Sequence, residues 1–330
     1  MPTISVLIAA YNAEGFLHRA VESAVGQTHP PLEVIIVDDA STDATLETAR
    51  LLAQRHACVR IVALSENGGP AKARNAGLDV ALGDWVAILD ADDAFVANRL
   101  ETLNRNMGAT DVDIVADNFR FFDPASDWTS GPALVDERET FLIDRYNFVD
   151  HARPYNPQPD WGLLKPIFRR EFLNTHNLRY PVESRHGEDF LFIVSALLLG
   201  ARYQFFRNPG YLYTIRTSGM SRTRLNYQAQ VDQSVALLSL AEVRGDARMQ
   251  RLLRRRISAV RRLAVERRLD DIVSGGEPGQ LARAFLNANM WRPLSKRALT
   301  KTRSAVRKWR SSRQVRPGSD VPTEEAEKRP

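Results

Sequence analysis

The chain has 330 residues, 44% of them hydrophobic, which is enough to bury a large core and predicts one domain with an extension. Its single cysteine, Cys58, excludes an intramolecular disulfide and fits a reducing compartment. No basic segment precedes an apolar stretch at the N-terminus, and the longest later apolar run, residues 190–199, is too short to span a bilayer. We therefore expect a cytoplasmic protein that is not integral to a membrane.

Charge is unevenly distributed around the formal net value of +5. Residues 244–316 contain 21 Lys or Arg against 5 Asp or Glu, a balance of +16, whereas the rest of the chain carries 24 basic and 35 acidic residues, a balance of −11. An acidic body therefore carries a basic arm. Anionic membrane and nucleic acid are both open as partners of this arm, and the alternative is a solvated helical face.

The N-terminal part begins with two strand patterns, each followed by a helix pattern. Residues 4–9 are an apolar, β-branched run, and a turn containing Tyr11 leads into apolar residues at helical spacing. The second strand, residues 32–37, ends in Asp38 and Asp39, and helix-starting Ser, Thr and Asp residues follow. The second strand therefore predicts an acidic strand end.

A third strand, residues 59–64, is followed by a glycine turn and a basic helix start. Residues 67–70 read Asn-Gly-Gly-Pro, and Lys72, Arg74 and Asn75 lie in the first turns of the predicted helix. Cationic side chains and backbone amides near a helix N-terminus are suited to bind phosphate.

The fourth strand has the sequence WVAILDADD and ends in three carboxylates. Residues 85–89 form an unbroken apolar run, typical of a strand buried on both faces of a parallel sheet. Asp90, Asp92 and Asp93 follow at its carboxyl end, where open α/β sheets bind ligands. Mg²⁺ or Mn²⁺ suits carboxylate oxygens and keeps positions for phosphates, so we predict a metal-diphosphate site. The alternative is that these acids cap the next helix or solvate a turn.

Strand and helix patterns alternate up to residue 116, which predicts an α/β fold with a doubly wound, mostly parallel nucleotide-binding half over residues 1–116. Right-handed crossovers place Tyr11, Asp39 and Asp92 along one edge of this sheet. There Asp39 is suited to accept from a base or ribose, Tyr11 to stack on a base, and Arg74 to neutralise phosphate. No GxGxxG or GxxxxGK[ST] motif occurs, which argues against dinucleotide oxidoreductases and P-loop NTPases.

The chain from residue 226 to residue 312 has a helical pattern and forms the predicted basic extension. Its last helix, residues 295–312, carries Leu299 and Trp309 on one face among Lys and Arg, a pattern that suits an interfacial helix on a membrane. Residues 313–330 are predicted to be disordered.

Four segments of the N-terminal half, SVLIAAYN, VIIVDDASTDAT, ENGGPAKARNAGL and ILDADD, resemble the successive motifs of family 2 glycosyltransferases with the GT-A fold. Downstream, KPIFRREFL (165–173) and GEDFLF (187–192) resemble the acceptor-side segment and the ED motif of that family. The resemblance covers residues 1–225, and the ordered combination is more specific than any single motif. The opening ISVLIAAYNAE is most similar to bacterial succinoglycan-type exopolysaccharide glucosyltransferases.

The resemblance implies a role for each acid at the strand ends. Asp39 matches the nucleoside-binding acid of the family, and Asp92 matches the metal-binding acid of its DxD motif, with Asp90 and Asp93 as neighbours. The implied cofactor is a divalent metal, Mg²⁺ or Mn²⁺. The predicted nucleotide-binding residues are Ala10, Tyr11, Asp39, Lys72, Arg74, Asn75 and Ala91.

The second half, residues 117–225, is similar to the variable acceptor side of the family. Asp189 matches the catalytic base, and the adjacent Glu188 remains a competing candidate because neighbouring side chains point differently. Without the resemblance, this acidic pair is also consistent with an ordinary helix start. Core packing or solvation is the alternative for the aromatic and basic residues upstream. The predicted acceptor or diphosphate contacts are Trp161, Lys165, Arg216 and Ser218.

The resemblance implies inverting transfer of a sugar, here glucose, from a UDP-sugar. The QxxRW motif and membrane spans of processive synthases are missing, so we expect one sugar per encounter, delivered to a lipid-linked exopolysaccharide acceptor at the inner face of the cell membrane. The expected partners are the UDP-sugar, this acceptor and an anionic membrane surface, but no nucleic acid. The rival interpretation is a phospho-accepting receiver domain with a nucleic-acid-binding arm, because VIIVDDAS resembles an acidic receiver strand end.

Overall fold

The structure is a computed structural model, and it describes residues 1–107, 111–183, 186–215 and 226–274. The predicted interfacial helix and C-terminal tail lie outside these residues. Among the described residues, no helix is both long enough and apolar enough to cross a bilayer.

The N-terminal part alternates strictly between strands and helices. Its elements are β1 (Ile4–Ala10), α1 (Leu17–Val25), β2 (Glu33–Asp38), α2 (Thr45–Arg55), β3 (Val59–Ala63), α3 (Gly69–Val80) and β4 (Trp85–Asp90). The four strands are parallel in the order β3-β2-β1-β4, and the apolar residues of β1, β2 and β4 are buried. The predicted α/β, doubly wound, mostly parallel sheet is confirmed.

The register of the three central strands aligns their carboxyl ends. Ala10 of β1 lies beside Asp38 of β2, and Ala9 lies beside Asp90 of β4. The loops that leave these strands therefore emerge at one edge of the sheet.

The second half extends the same sheet with shorter and mixed elements. They are β5 (Ala94–Phe95), α4 (Arg99–Met107), β6 (Ile114–Asp123), β7 (Trp128–Thr129), β8 (Thr140–Ile143), α5 (Arg145–His151), a 3₁₀ turn (Trp161–Leu163), β9 (Ile167–Arg169), α6 (Arg170–Thr175), α7 (Glu188–Leu198) and β10 (Tyr203–Thr214). The strand order continues β4-β9-β6-β10-β5, and β9 is antiparallel to both of its neighbours.

The boundary expected between the two halves, after residue 116, falls inside a strand. β6 continues to Asp123 because it pairs with β10 from Ile114 to Phe122. Its first six residues are buried, and the first two also pair with β9. The helix and strand predicted after β4 are present as α4 and β6, but in the sheet the short β9 lies between β4 and β6.

A buried ion pair ties the two halves together behind the sheet edge. Arg99, at the start of α4, donates from Nε and Nη2 to Asp117 of β6 at 2.8–3.1 Å, and both side chains are almost fully buried. Arg99 also donates to the main-chain oxygen of Lys165 at 2.6 Å. The pair therefore fixes the backbone that presents Lys165.

Three further helices follow: α8 (Tyr227–Leu238), α9 (Ala241–Arg244) and α10 (Ala247–Ser274). The chain separates into two compact units, Met1–Val260 and Arg261–Pro330. The helices up to Val260 thus belong to the first unit, whereas the sequence pattern puts a boundary at residue 225. They do so because Leu237, Val243 and Leu253 are buried in the same hydrophobic core as the sheet.

Candidate active site

The acids of the β4 strand end form one cluster. Asp90, Asp92 and Asp93 each offer a carboxylate oxygen, and these three oxygens lie within 4.8 Å of one another. Asp93 is buried and accepts hydrogen bonds from the Tyr211 hydroxyl at 2.6 Å and from the Thr214 amide at 2.8 Å. The amide of Asp90 in turn donates to the Tyr211 oxygen at 3.2 Å. β10 therefore fixes the turn that carries the three acids.

Arg19 of α1, in the same N-terminal half as the three acids, also supports the turn that carries them. Its guanidinium donates to the main-chain oxygen of Asp92 at 2.6 Å and also to the Thr214 hydroxyl. Burial lowers the pKa of Arg19, and the negative charges of Asp93 and Asp92 oppose that change. Burial also raises the pKa of the Asp93 carboxyl, and repulsion from Asp90 and Asp92 raises it further.

Arg74 joins the β4 acids to the acidic pair at the start of α7. The guanidinium donates to Asp90 at 3.0 Å, to Glu188 at 3.0 Å and to Asp189 at 2.8 Å. The first turns of α3 place it there, and its side chain is only 6% exposed. This buried cation thus contacts an acid 115 residues away from it in sequence.

Lys165 is the second cation of this centre. Its ammonium lies 2.8 Å from Asp90 Oδ2 and 3.4 Å from Asp189 Oδ2, and the side chain is 7% exposed. The sequence pattern grouped Lys165 with the acceptor or diphosphate contacts. The structure places it between the metal-type acids and the predicted base.

The shifts in pKa follow from this arrangement. Burial by itself raises the pKa of Asp90, but Lys165 and Arg74 outweigh burial and hold it well below its usual range. Burial alone would lower the pKa of each cation, but Asp189 and Asp90 raise that of Arg74, and Asp90 and Asp189 raise that of Lys165. Burial, followed by repulsion from Asp189, raises the pKa of Glu188. The two cations, Arg74 and Lys165, and the carboxylates of Asp90 and Asp189 therefore stabilise each other's charged forms in a poorly hydrated site.

Asp39 lies at the end of β2 and organises the glycine turn before α3. Its carboxylate accepts from the amides of Gly68 and Gly69, both at 2.8 Å, and from the side chain of Asn67 at 3.0 Å. Gly69 has φ of 82°, in the left-handed region that glycine adopts readily. Asp39 therefore shapes the loop that presents α3 and Arg74.

The other predicted nucleotide-binding residues differ in how exposed they are and in whether they have protein partners. Tyr11 is 45% exposed directly after β1, where a base has access to its ring. Ala10 and Ala91 are buried at strand ends. Lys72 pairs with Glu66 on the surface, and Asn75 is hydrogen-bonded through both side-chain atoms to the backbone of Tyr180 at 2.8 Å. Asn75 therefore anchors the segment before α7.

Trp161 lies in the protein core and not on an open surface. It is 5% exposed, its ring stacks on His151 with centroids 4.0 Å apart, and it also contacts Phe141. His151 and Phe141 therefore cover the Trp161 ring, on which we expected a sugar to stack. Arg216 and Ser218 lie outside the described residues.

Four residues of the site escaped sequence reasoning. Arg19 reads as a solvated residue of an amphipathic helix, and Arg99 as an ordinary helix-start cation. The only sequence signal near Tyr211 and Thr214 is Arg216, a predicted contact that follows them in the chain. Their partners lie 73 to 195 residues away for Arg19 and 118 to 121 for Tyr211 and Thr214, so no local pattern reveals them.

The residues present fit a hard divalent cation. Carboxylate oxygens are the preferred protein ligands of Mg²⁺ and Mn²⁺, and three such groups converge here. Asp90 is already engaged by Arg74 and Lys165, and Asp93 by Tyr211 and Thr214. Asp92, which the resemblance matches to the metal-binding acid, is half buried in the same cluster.

Comparison with known proteins agrees with this architecture. The sequence pattern of "Glycosyl transferase family 2" matches residues 5–172. The succinoglycan biosynthesis proteins ExoO and ExoU of Rhizobium meliloti are each 35% identical to the chain, over 225 and 221 residues, or 67% and 66% of it. The chain spans 63% and 64% of the lengths of these two relatives.

Solved structures show the same fold. S. aureus TarS residues 1–349 in complex with UDP-GlcNAc superposes with a TM-score of 0.63 over 90% of this chain and 82% of that one, at 22% sequence identity. The corresponding complex with UDP has a TM-score of 0.60 over 95% and 93% of the two chains, at 20% identity. Because the family pattern matches half of the sequence and the sheet has the GT-A arrangement, the chain belongs to glycosyltransferase family 2.

Proposed function

We propose that this protein is an inverting, non-processive glycosyltransferase that moves one sugar, glucose, from a UDP-sugar to a growing, lipid-linked exopolysaccharide oligosaccharide. The observation that carries the proposal is the convergence of the β4 acids with Arg74, Lys165 and the Glu188-Asp189 pair at one sheet edge. Such a site combines a place for a metal-bound diphosphate with a carboxylate for an incoming hydroxyl.

The donor assignment is supported by two lines of argument. The S. aureus TarS structures of the same fold contain UDP-GlcNAc and UDP. In this chain, Tyr11 is exposed beside the edge where Asp39 shapes the glycine turn, an arrangement that suits a nucleoside. An exopolysaccharide acceptor is proposed because two relatives are named succinoglycan biosynthesis proteins. Glucose is proposed from the resemblance of the opening ISVLIAAYNAE to succinoglycan-type glucosyltransferases.

A bound divalent metal would supply positive charge to the departing diphosphate. Asp92 would hold the metal, with Asp90 and Asp93 as neighbouring carboxylates. Arg74 and Lys165 add fixed positive charge, and electrostatic stabilisation of this kind is strongest in a poorly hydrated site.

Asp189 acts as the general base in this proposal. Its side chain is 24% exposed, whereas that of Glu188 is 11% exposed, so an acceptor hydroxyl reaches Asp189 more easily. Arg74 and Lys165 orient its carboxylate. Asp189 takes the proton of the acceptor hydroxyl while that oxygen attacks the anomeric carbon and UDP departs from the opposite face. A single displacement of this kind inverts the anomeric configuration.

The location follows from charge. We place the protein on the inner face of the cell membrane, attached peripherally through the basic segment 244–316. In the described part of this segment, Arg248, Arg251 and Arg255 are exposed along α10. A row of arginines attracts anionic lipids, and a lipid-linked acceptor would be presented at the same surface.

The test is a screen of UDP-sugars for slow, metal-dependent hydrolysis by the purified protein. We expect UDP-glucose to be hydrolysed, activity to stop with EDTA, and Asp189→Asn to be inactive. Phosphorylation of Asp39 by acetyl phosphate, with no UDP-sugar hydrolysed, would instead support the receiver interpretation. The site does not favour that rival, since the Asp39 carboxylate is buried among three hydrogen-bond donors.

A further inference from the structure

The turn that begins α7 is held by a residue of α8. Gly187 precedes the Glu188-Asp189 pair and has φ of 80°, the left-handed region that favours glycine. Gln233 donates from Nε2 to the main-chain oxygen of His186 at 2.7 Å, and it is 6% exposed. A Cβ atom added at Gly187 would lie 2.6 Å from Gln233 Oε1, so this side chain packs directly on the turn.

Helix α7 also has a contact from α10. Arg256 is 3% exposed, and its guanidinium carbon lies 3.8 Å from the ring centroid of Phe190, the residue after Asp189. Phe190 also stacks on Phe148 of α5, with ring centroids 6.0 Å apart. A cation over an aromatic ring attracts it electrostatically, and burial strengthens that attraction. The position of the Phe190 ring is therefore fixed by two other helices.

Arg256 is a buried cation whose hydrogen-bonding capacity is not fully used. Its Nε and Nη1 atoms are buried and donate to no acceptor among the described residues. Burial lowers its pKa to about 10, although nearby Asp160 opposes this change. A buried cation with unsatisfied donors is costly, and such residues are kept mainly where function requires them.

We propose that Gln233 and Arg256 are positioning residues for the catalytic pair, and that α8 and the first part of α10 belong to the catalytic unit. This inference rests on the proposed function, because it takes Glu188-Asp189 as the pair that supplies the base. Arg74 and Lys165 contact the carboxylates directly. Gln233 instead holds the backbone just before the pair, and Arg256 holds the aromatic ring just after it. Both residues lie beyond residues 5–172, the part that the family pattern matches.

A general base must lie within hydrogen-bond reach of the proton it removes, so a small shift of α7 slows the chemical step. The donor is held by groups on other elements, and its affinity should not change. Loss of either positioning residue should therefore lower kcat by about 10-fold or more and leave KM for the UDP-sugar within about twofold.

The first experiment compares Gln233→Leu with Gln228→Leu in UDP-sugar hydrolysis by the full chain. Gln228 is an exposed residue of the same helix whose side chain bonds only to Asp232 in the described residues, which makes it a matched control. We expect the kcat loss in Gln233→Leu alone, with UDP affinity by calorimetry unchanged in both. A wild-type kcat in Gln233→Leu, or an equal loss of UDP affinity, overturns the role of Gln233.

Gly187→Ala perturbs the same contact from the other side. In the wild-type background it should lower kcat, because the new Cβ meets Gln233 Oε1 at 2.6 Å and the left-handed φ is strained. In a Gln233→Ala background the clash is gone, so the same substitution should have a clearly smaller effect. Equal effects in the two backgrounds contradict the contact.

The Arg256 variants separate positioning from simple stabilisation. Arg256→Met removes a buried charge at similar volume, so we expect an unchanged or higher Tm together with a lower kcat. Arg256→Lys keeps a cation and should retain most activity, and Arg255→Met, on the exposed face of α10, should resemble the wild type. A lower Tm in Arg256→Met with unchanged activity per folded molecule would reject its role.

These outcomes are distinct from failure of the proposed function. If the wild-type chain hydrolyses no UDP-sugar, both the donor assignment and this inference are rejected. If the wild type is active and the three sets of variants match it, the inference alone is rejected.

Discussion

At the scale of single residues, the acids at the end of β4 differ in what the sequence implies for them, and Asp92 is the one that matches the metal-binding acid of the DxD motif. Asp90 is tied to Arg74 and Lys165, and Asp93 is tied to Tyr211 and Thr214, so their carboxylates already have strong partners in the protein. A Mg²⁺ ion on a nucleotide typically takes one or two carboxylates and completes its coordination with phosphate and water. We therefore propose Asp92 as the direct metal ligand, on the ground of its match to the DxD motif and its half-buried position.

We expect Asp92→Ala to abolish metal-dependent binding of UDP, while the fold is retained because the residue is only half buried. Isothermal titration calorimetry with Mg²⁺ or Mn²⁺, and again with EDTA, measures this directly. Asp43→Ala, in a loop after β2 on the same protein surface, is a control for loss of one acid. Wild-type affinity that is the same with metal and with EDTA would remove the metal from the mechanism.

We expect Asp189→Asn to keep donor affinity and lose turnover by roughly 10²-fold or more, the usual size of a general-base contribution. The amide preserves the shape of the side chain but cannot accept a proton. Steady-state hydrolysis of the UDP-sugar, combined with calorimetry for UDP, separates the two effects. If Glu188→Gln loses turnover and Asp189→Asn does not, the base is Glu188.

At the scale of elements, α4, β6 and the segment that carries Lys165 meet at one buried ion pair. Arg99 and Asp117 are joined by three hydrogen-bond contacts, and Arg99 also holds the backbone of Lys165. Gly210 of β10 packs so closely that a Cβ there would lie 2.3 Å from Asp117 Oδ2. Two strands, a helix and the segment before β9 therefore share one polar contact beneath the site.

Asp117→Asn should destabilise the protein by about 3–5 kcal/mol, because it leaves the buried Arg99 cation without its counter-charge. Urea unfolding followed by tryptophan fluorescence measures the change. Asp136→Asn, which removes the charge from an exposed pair with Arg138, should cost no more than about 1 kcal/mol. Similar unfolding midpoints for these two variants would show that the buried pair adds little.

At the scale of the whole molecule, the distribution of charge predicts how the enzyme reaches its acceptor. Residues 244–316 carry a balance of +16, while the rest of the chain carries −11. Each basic residue near an anionic leaflet contributes about 1 kcal/mol, and a shallow apolar face adds to this attraction. A few basic residues together with a shallow apolar face are therefore enough for reversible attachment, and the predicted apolar face lies within residues 295–312.

We expect the full chain to float with anionic liposomes at low salt, and to do so less as salt is raised, because ions screen the attraction. Removal of residues 295–330, which include Trp309, should release the protein and leave UDP binding intact. Neutral liposomes are the control for non-specific flotation. Equal flotation of full-length and truncated chains would leave residues 295–330 as an ordinary solvated segment.

The strand ends illustrate what could be predicted from sequence. The apolar run before Asp90 and the run before Asp38 are each long enough to specify a buried parallel strand, and strand direction then brings their acids to one edge. For the same reason, the position of Asp39 and Asp92 at this edge could be predicted without a structure. Trp161 could not be predicted in this way, because an aromatic residue in a loop is equally compatible with a sugar site and with the core.

By itself, the sequence determined the family, the mostly parallel sheet and the acidic edge, since these depend on local hydrophobic patterns and on motifs a few residues long. Only the tertiary structure decided which charges meet there. Arg74 reaches Asp189 across 115 residues, and Lys165 reaches Asp90 because β9, which follows Lys165, pairs with β4. Gln233 packs on the turn of α7 from a helix that the sequence assigned to an extension. Such contacts depend on how helices and strands pack in three dimensions, and no periodicity along the chain records that packing.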